Sequence, residues 1–400
     1  MRKAYRFRLK VQPKEWGRLH NQLELSKNFY NELLQRIEDN YKKDKTTKVS
    51  KKTFNRIKRE IFSEHSEYRK LYSQVADDIS RRVLRAYQNF FRRVREGAKE
   101  KGFPRPKNYY KSITYPQNNG SFKIEKGRLK VSKIGTMKIY LHRQIDGSIK
   151  TMTIKRDRLN HFYATFSVEY DKPIPQEKRE ERAIGIDMGI HSLIAMSDGT
   201  TIENPKFLKE SERRLAMYQK RMSRTQKGSV RRRRQRRKVA KIHQKIADQR
   251  NDFMDKLTTN LAKTYTTFAV ENLQINNMLQ NRNLAKSISD ASWGIFIRKL
   301  SCKAESANLK VIGVPPRNTS RICSNCGIEK EMPLSERVYR CDSCHLEIDR
   351  DINASINILQ RATTVGHTGS QARGGDIRPT GVVSNEPRTN PANAGEAHTL

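Results

Sequence analysis

The sequence predicts an α/β chain of more than one domain, with a small metal-stapled module inserted near its C-terminal end. Three observations carry this expectation. The 400 residues exceed what one compact core holds and fit two or three packed units. The apolar period runs from two, to the helical value, back to two, and then to short apolar runs alternating with helical stretches. Four of the five cysteines fall in two CxxC pairs.

Composition narrows the partners. Lys and Arg number 82 against 42 Asp and Glu, a net charge of +40. Such an excess repels itself in a compact chain, so a polyanion that neutralises it is implied. Apolar residues are 35% of the chain, enough for a core, which excludes wholesale disorder. No run approaches the ~20 apolar residues of a membrane span. The opening MRKAYRFRLK alternates charge with hydrophobes and lacks the apolar stretch of a secretory signal. Collagen, a disulfide scaffold and a membrane protein are excluded; a cytoplasmic nucleic-acid-binding protein is expected.

Residues 1–12 read as a strand, with Tyr5, Phe7, Leu9 and Val11 two apart. From Lys14 to Arg95 the period is helical. Trp16, Leu19 and Leu23 make one stripe; Val83, Leu84, Tyr87, Phe90, Phe91 and Val94 make a stronger one, edged by Arg81, Arg82, Arg85, Arg92 and Arg93. The apolar half of that pattern predicts a core-facing helix, and the arginine density points to phosphates. Gly102-Phe103-Pro104-Arg105-Pro106 ends the block. Short period-two runs over 110–170, separated by glycine turns, predict a small antiparallel barrel or sheet that the first strand joins. Asp171 to Glu177 reads as a linker.

At Ala183 a new pattern begins, Ala-Ile-Gly-Ile-Asp187-Met-Gly and then His191-Ser-Leu-Ile-Ala-Met-Ser, which predicts two apolar strands joined by a short glycine turn. Residues 201–250 hold 18 basic and 4 acidic side chains, centred on Arg231, Arg232, Arg233, Arg234, Gln235, Arg236, Arg237 and Lys238. In a chain this basic, the run is expected to track a phosphate backbone. Thr266–Glu271 is a further strand ending in a carboxylate. A helix is expected over Asp290–Leu309, with Cys302 on its apolar face as a small core residue. Val311–Val314 is a strand, a helix begins near Asp351, and 363–400, without an aromatic, reads as a disordered tail.

Cys323-Ser-Asn-Cys326 and Cys341-Asp-Ser-Cys344 stand 14 residues apart. Two thiolates at i and i+3 on a tight turn bite one metal, and two such turns complete the tetrahedral sulfur shell that Zn²⁺ prefers. With all four positions filled by protein, this Zn²⁺ is structural. Disulfide pairing is the alternative, disfavoured in a reducing compartment. Three acids also stand out. Asp187 interrupts an apolar strand, Glu271 ends another, and Asp351 opens a helix after the zinc module. Carboxylates from separate strand ends can hold two divalent metals about 4 Å apart, which activate water and stabilise the leaving oxygen of a phosphodiester. Taken singly, each has a plainer reading: a turn residue, a surface acid and a helix cap.

Gly185-Ile-Asp187-Met-Gly189, Val270-Glu271-Asn-Leu273, Ser287 to Gly294, the paired CxxC, and Asp349-Arg-Asp351-Ile-Asn353-Ala together resemble the TnpB family of transposon-encoded, RNA-guided DNA endonucleases, regarded as ancestral to type V CRISPR effectors. Specific motifs run in order over 183–360, and the likeness extends more loosely to the N-terminal half. One departure is Arg321, where members often carry Gln. The resemblance implies an RNase H-like (RuvC) nuclease domain at 176–315 and 347–362, interrupted by a zinc ribbon at 316–346. It implies a wedge β-barrel at 1–12 and 107–175, with a helical recognition domain at 13–106. It further implies that Asp187, Glu271 and Asp351 are the catalytic ligands of two Mg²⁺ ions. Asp349 is the nearby decoy. The implied partners are a guide RNA from the transposon end and double-stranded target DNA beside a short motif, in the prokaryotic cytoplasm or nucleoid. A guide-dependent DNA-binding repressor and a basic zinc-ribbon RNA-binding accessory protein remain as alternatives.

Overall fold

The computed structural model describes residues 2–43, 50–98, 102–170, 180–281, 284–333 and 335–367. The chain divides into two compact units, Met1–Pro173 and Ile174–Arg388. The linker expected at 171–177 lies outside the described residues.

The first unit opens with β1 (Arg2–Lys10), whose Tyr5, Phe7 and Leu9 are buried while the alternate residues face outward. Three helices follow, α1 (Pro13–Lys43), α2 (Lys51–Glu64) and α3 (Ser73–Arg95), with a short 3-10 turn at Ser66–Lys70. Ser50 caps α2 by accepting from the Thr53 amide. Six more strands complete a sheet: β2 (Ser112–Tyr115), β3 (Phe122–Glu125), β4 (Arg128–Val131), β5 (Gly135–Tyr140), β6 (Ser148–Arg156) and β7 (Phe162–Glu169). The order is β2-β6-β7-β1-β5-β4-β3, with every pairing antiparallel. β1, first in sequence, is central because both β5 and β7 pair with it. The sheet curls, since the Tyr115 hydroxyl at one edge donates to the Ser132 carbonyl beyond β4 at 3.1 Å. One apolar cluster joins the sheet's inner face to the helices.

Two details depart from the helical stripes. Leu84, Phe90 and Phe91 are only half-buried and Val94 is exposed, with Phe91 against Tyr41 and Phe90 against Phe103 at the edge of the core. Trp16 lies outside the core, 38% exposed, although Leu19 and Leu23 are fully buried.

The second unit is built on β8 (Ala183–Asp187), β9 (Ser192–Met196), β10 (Thr201–Glu203), β11 (Thr267–Glu271) and β12 (Lys310–Val314), ordered β10-β9-β8-β11-β12. β10, β9 and β8 run antiparallel as a meander; β11 is parallel to both β8 and β12. The central strands are buried on both faces, so they read as continuous apolar runs rather than alternating ones. Between β10 and β11 stand α4 (Phe207–Ser223) and α5 (Val230–Thr264), so the arginine run is helical. α6 (Ile275–Met278), α7 (Ala285–Ala291) and α8 (Trp293–Ala307) follow β11.

The single helix expected over Asp290–Leu309 is two helices, broken at Ser292, whose φ of 58° is left-handed. Cys302 is exposed rather than a core residue, since α8 turns Trp293, Phe296, Leu300 and Ala304 inward instead. A two-stranded ribbon, β13 (Val338–Arg340) and β14 (Glu347–Asp349), leads into α9 (Arg350–His367). α9 therefore continues five residues beyond the expected boundary at 362, and the rest of the predicted tail, 368–400, lies outside the described residues. Among the described residues no helix is long and apolar enough to cross a membrane.

Candidate functional site

Asp187 and Glu271 end neighbouring parallel strands in matching register, since Val270 pairs with Ile186. Strand side chains two apart share a face. The face holding Gly185 is the one α9 covers: a Cβ at Gly185 would lie 2.0 Å from the Ser355 carbonyl. Ala269 likewise packs with Ile358 and Ala362 of α9. Asp187 and Glu271 therefore project on the α9 side, where the first turn of that helix presents Asp351. At Gly189, just beyond β8, a Cβ would sit 2.7 Å from the Ser192 carbonyl and 3.7 Å from Asp351 Oδ2. The two glycines of Gly185-Ile-Asp187-Met-Gly189 thus let the helix and the following turn close on the aspartate between them. Trp293 Nε1 donates to the Gly189 carbonyl at 3.1 Å and holds that turn.

The electrostatics report this crowding. Burial pushes Asp187 up to about 8, helped by the charges of Glu271 and Asp351 and opposed by the Met188 amide and Arg350. Glu271 is raised by burial, against the Thr319 hydroxyl and Arg361. Asp351 is raised by burial and by Asp349, against Arg337, Arg350 and His191. Arg337 stands 3.8 Å from Asp351. Asp349 has the capping role: its Oδ1 accepts the amides of Asp351 at 2.8 Å and Ile352 at 3.1 Å. Three carboxyls that resist ionisation in one cleft form the kind of cluster a cation relieves.

The four thiols Cys323, Cys326, Cys341 and Cys344 lie within 4.8 Å of one another. The nearest pairs, Cys323–Cys344 and Cys326–Cys341, are 3.5 Å apart, beyond disulfide bonding. Left-handed backbone at Gly327 and His345 turns each loop back on its cysteines. His345 is not one of the converging donors. The side chain of Asn325 and the Leu346 amide lower Cys344 to about 6, whereas Cys326, against the Ile328 amide, is pushed up to about 12 by desolvation and by hydrogen bonds to its neighbouring thiols. Four soft donors at tetrahedral spacing fit zinc. Among the described residues, these four cysteines are the donor group whose ligand atoms come together at metal-binding spacing.

One residue absent from the sequence-derived site belongs to it. Thr319, buried after β12, donates its hydroxyl to Glu271 Oε1 at 2.5 Å. α9 fixes that segment from its other side. Asn357 Nδ2 donates to the carbonyls of Thr319 and Ile322 at 2.8 and 2.6 Å, Asn353 Nδ2 donates to Ile322, and Asn353 Oδ1 accepts the Ser324 amide inside the first knuckle. A helical asparagine pair four apart signals a shared face, but not its partner. Asp290 was likewise visible only as part of a motif. Nearly buried, it accepts the amides of Leu208 and Lys209 and pairs with Arg250 at 2.6 Å, capping α4 from outside.

The predicted nucleic-acid residues divide. Arg81, Arg85 and Arg92 are exposed on α3. Arg82 is held internally by Asp78 at 2.7 Å and Thr114 at 2.6 Å, and Arg93 donates to the Gly102 carbonyl. Arg233 and Arg236 are exposed on α5. Arg232 turns inward onto the carbonyls of Met222 and Thr225 at the end of α4. Arg231, Arg234, Arg237 and Lys238 line, with Lys241, a cavity of about 580 Å³. Cations converging there without an acid suit phosphates.

A basic two-unit α/β chain with a cysteine-knuckle module and acids at parallel strand ends is of the nuclease class built like Cas12 effectors. The chain aligns over 86% of its length with a Cas12f1–sgRNA–target DNA complex (82% of that chain, TM-score 0.53, 15% identity). It aligns over 90% with the RNA-guided endonuclease CRISPR-Cas_phi3 (92% of that chain, TM-score 0.54, 9% identity). Residues 165–282 match the OrfB_IS605 family, described as a probable transposase, and 293–358 match the Cas12f1-like TNB domain. A Streptomyces pristinaespiralis protein named as an RNA-guided DNA endonuclease is 33% identical over 75% of this chain and 72% of its own length. InsQ of Escherichia coli K12, also so named, is 30% identical over 76% and 78%. The chain belongs to this TnpB-like family of RNA-guided DNA endonucleases.

Proposed function

We propose that the chain is an RNA-guided DNA endonuclease whose hydrolytic centre is Asp187, Glu271 and Asp351. It acts in the cytoplasm on double-stranded DNA matched to a guide RNA from the transposon end. The observation that carries the reading is that Asp187 and Glu271 end neighbouring parallel strands on the face α9 covers, where burial and the charges of Glu271 and Asp351 push Asp187 up to about 8. The meander followed by parallel strands supports an RNase H-like (RuvC) domain, and the curled seven-stranded sheet supports a wedge barrel with inserted recognition helices.

Asp187, Glu271 and Asp351 would hold two Mg²⁺ ions, which would supply activation of water and stabilisation of the leaving oxygen in phosphodiester hydrolysis. The chain's own part is positional. Asp187 and Glu271 are fixed by the register of β8 and β11, and Asp349 caps α9 so that Asp351 is free to face them. Thr319 orients Glu271. Cys323, Cys326, Cys341 and Cys344 would hold a zinc ion that would brace the ribbon from which α9 departs. The cations lining the α4–α5 cavity supply phosphate contacts.

Cleavage of guide-matched DNA is expected to vanish on Asp187→Ala while occupancy of the target persists. Unchanged cutting by the variant would refute the site, and occupancy without strand breaks in the unaltered protein would favour the guided-repressor reading.

A further inference from the structure

Trp16 belongs by sequence to the α1 stripe, yet it stands 38% exposed. The aromatic side chains among the exposed large hydrophobics of the described residues are Trp16, Tyr109 and Tyr140, and two of them, Trp16 and Tyr140, line one cavity of about 420 Å³ on the first unit. Scattered exposed aromatics need no explanation, but a shared cavity does. Arg8, Lys10, Asn160 and His161 line it as well, with Val11 and the buried Leu9 and Phe162, and no acid takes part.

Each wall has a structural reason. Arg8 pairs with Tyr140 across β1 and β5, and with Tyr163 on the other side, so cation and ring stand side by side on the outer face. Lys10 pairs with Lys138 in the next row. Trp16, in the first turn of α1, stacks on His20 with centroids 5.2 Å apart, which orients its ring. At the β6–β7 turn, Asp157 Oδ1 accepts the amides of Leu159 and His161 at 2.8 Å, and Asn160 takes a left-handed φ of 65°. His161 Nδ1 lies 3.3 Å from Asp157, which leaves Nε2 as the ring's other polar atom.

We propose that this cavity is a subsite for one unpaired RNA nucleotide, its base against Trp16 and Tyr140, its phosphates on Arg8 and Lys10, and its polar edge at Asn160 and His161. The assignment rests on the proposed function in taking RNA as the resident partner. Aromatic faces bind bases by stacking, and flanking cations neutralise the backbone without reading sequence. Stacking by amphipathic rings beside cations is also what distinguishes this cavity from the α4–α5 cavity, which has cations but no aromatic lining.

The chain contains two tryptophans, and Trp293 is 3% exposed, so an aqueous quencher reaches Trp16 selectively. The full-length protein is titrated with oligoadenylate at elevated salt, with tryptophan emission and acrylamide quenching recorded. Binding is expected to quench the exposed component and shield it from acrylamide. Trp16→Ala and Tyr140→Ala are each expected to weaken oligoadenylate about tenfold, with Trp16→Phe, which keeps a ring, closer to the parent. Arg8→Ala should lower the salt slope by about one. Thermal midpoints check that the variants are folded.

Binding that leaves Trp16 emission and accessibility unchanged overturns the proposal. So does parental affinity in both alanine variants, or oligodeoxyadenylate binding this subsite as tightly as RNA. Guided cleavage is assayed separately. Its absence in the unaltered protein would count against the proposed function, whereas normal cleavage with an unresponsive Trp16 would remove this subsite alone.

Discussion

Replacing Gly185 by alanine tests whether α9 and the strand ends form one closed unit. A Cβ there would sit 2.0 Å from the Ser355 carbonyl and 2.9 Å from both the amide nitrogen and the Cβ of Leu359. Two of the three obstacles are backbone, so no rotamer change relieves the clash. The helix must retreat from β8 by about 1.5 Å to restore van der Waals contact. Overpacking of this kind costs about 3 kcal/mol at the upper end of the usual range. For a unit of this size that lowers the thermal midpoint by about 10 °C. Asp351 lies one turn before Ser355, so the same retreat draws a carboxylate away from Asp187. Differential scanning calorimetry and guided cleavage at a temperature where the variant is folded measure the two effects. Gly17→Ala is the control: it lies in α1 with nothing within 4 Å of its Cβ position, so it is expected to gain about 0.5–1 kcal/mol. A Gly185→Ala protein with the parental midpoint and parental cleavage would refute the packing argument.

Thr319→Val removes the hydroxyl that fixes Glu271, a bond to a charged acceptor worth about 2 kcal/mol. The Mg²⁺ concentration for half-maximal cleavage should rise more than tenfold with the plateau rate less affected, and Thr319→Ser should restore it. In metal-free protein, Asp187 titrates at about 8 folded against 3.8 unfolded, so the native state binds the extra proton between those values. Its contribution is least unfavourable below about pH 4 and stability is lost as the pH rises toward about 8. The raised values of Glu271 and Asp351 add the same sign. Urea midpoints should therefore fall across this window relative to Asp187→Asn, and Mg²⁺ should flatten the difference. A parental midpoint that rises relative to the variant would contradict the arrangement.

What the sequence revealed depended on how local the cause was. Tyr5, Phe7 and Leu9 announce their strand because burial on one face imposes period two. The double CxxC announces its cluster because the chelate bite is set by a single turn. The three acids were visible as polar interruptions of apolar elements, although their convergence needed the parallel register of β8 with β11 and the docking of α9. Thr319 and Asp290 were hidden for the complementary reason. A threonine in a polar loop and an aspartate in a short helix are ordinary residues until a partner 48 or 82 positions away is placed against them. Arg82 and Arg232 show the same limit from the other side, since charge density could not separate arginines that brace the fold from those left for phosphates. Trp16 looked like core by spacing alone because periodicity does not record where the neighbouring sheet ends.

The position of α9 in the chain bears on biosynthesis. It lies after every strand of the five-stranded sheet and covers the face that Asp187 and Glu271 share. Domains fold from the N-terminus as they leave the ribosome, so that face stays uncovered, and the proposed site lacks its third carboxyl, until this helix has emerged. A truncated product of translation would therefore carry the basic surfaces without a finished cutting centre.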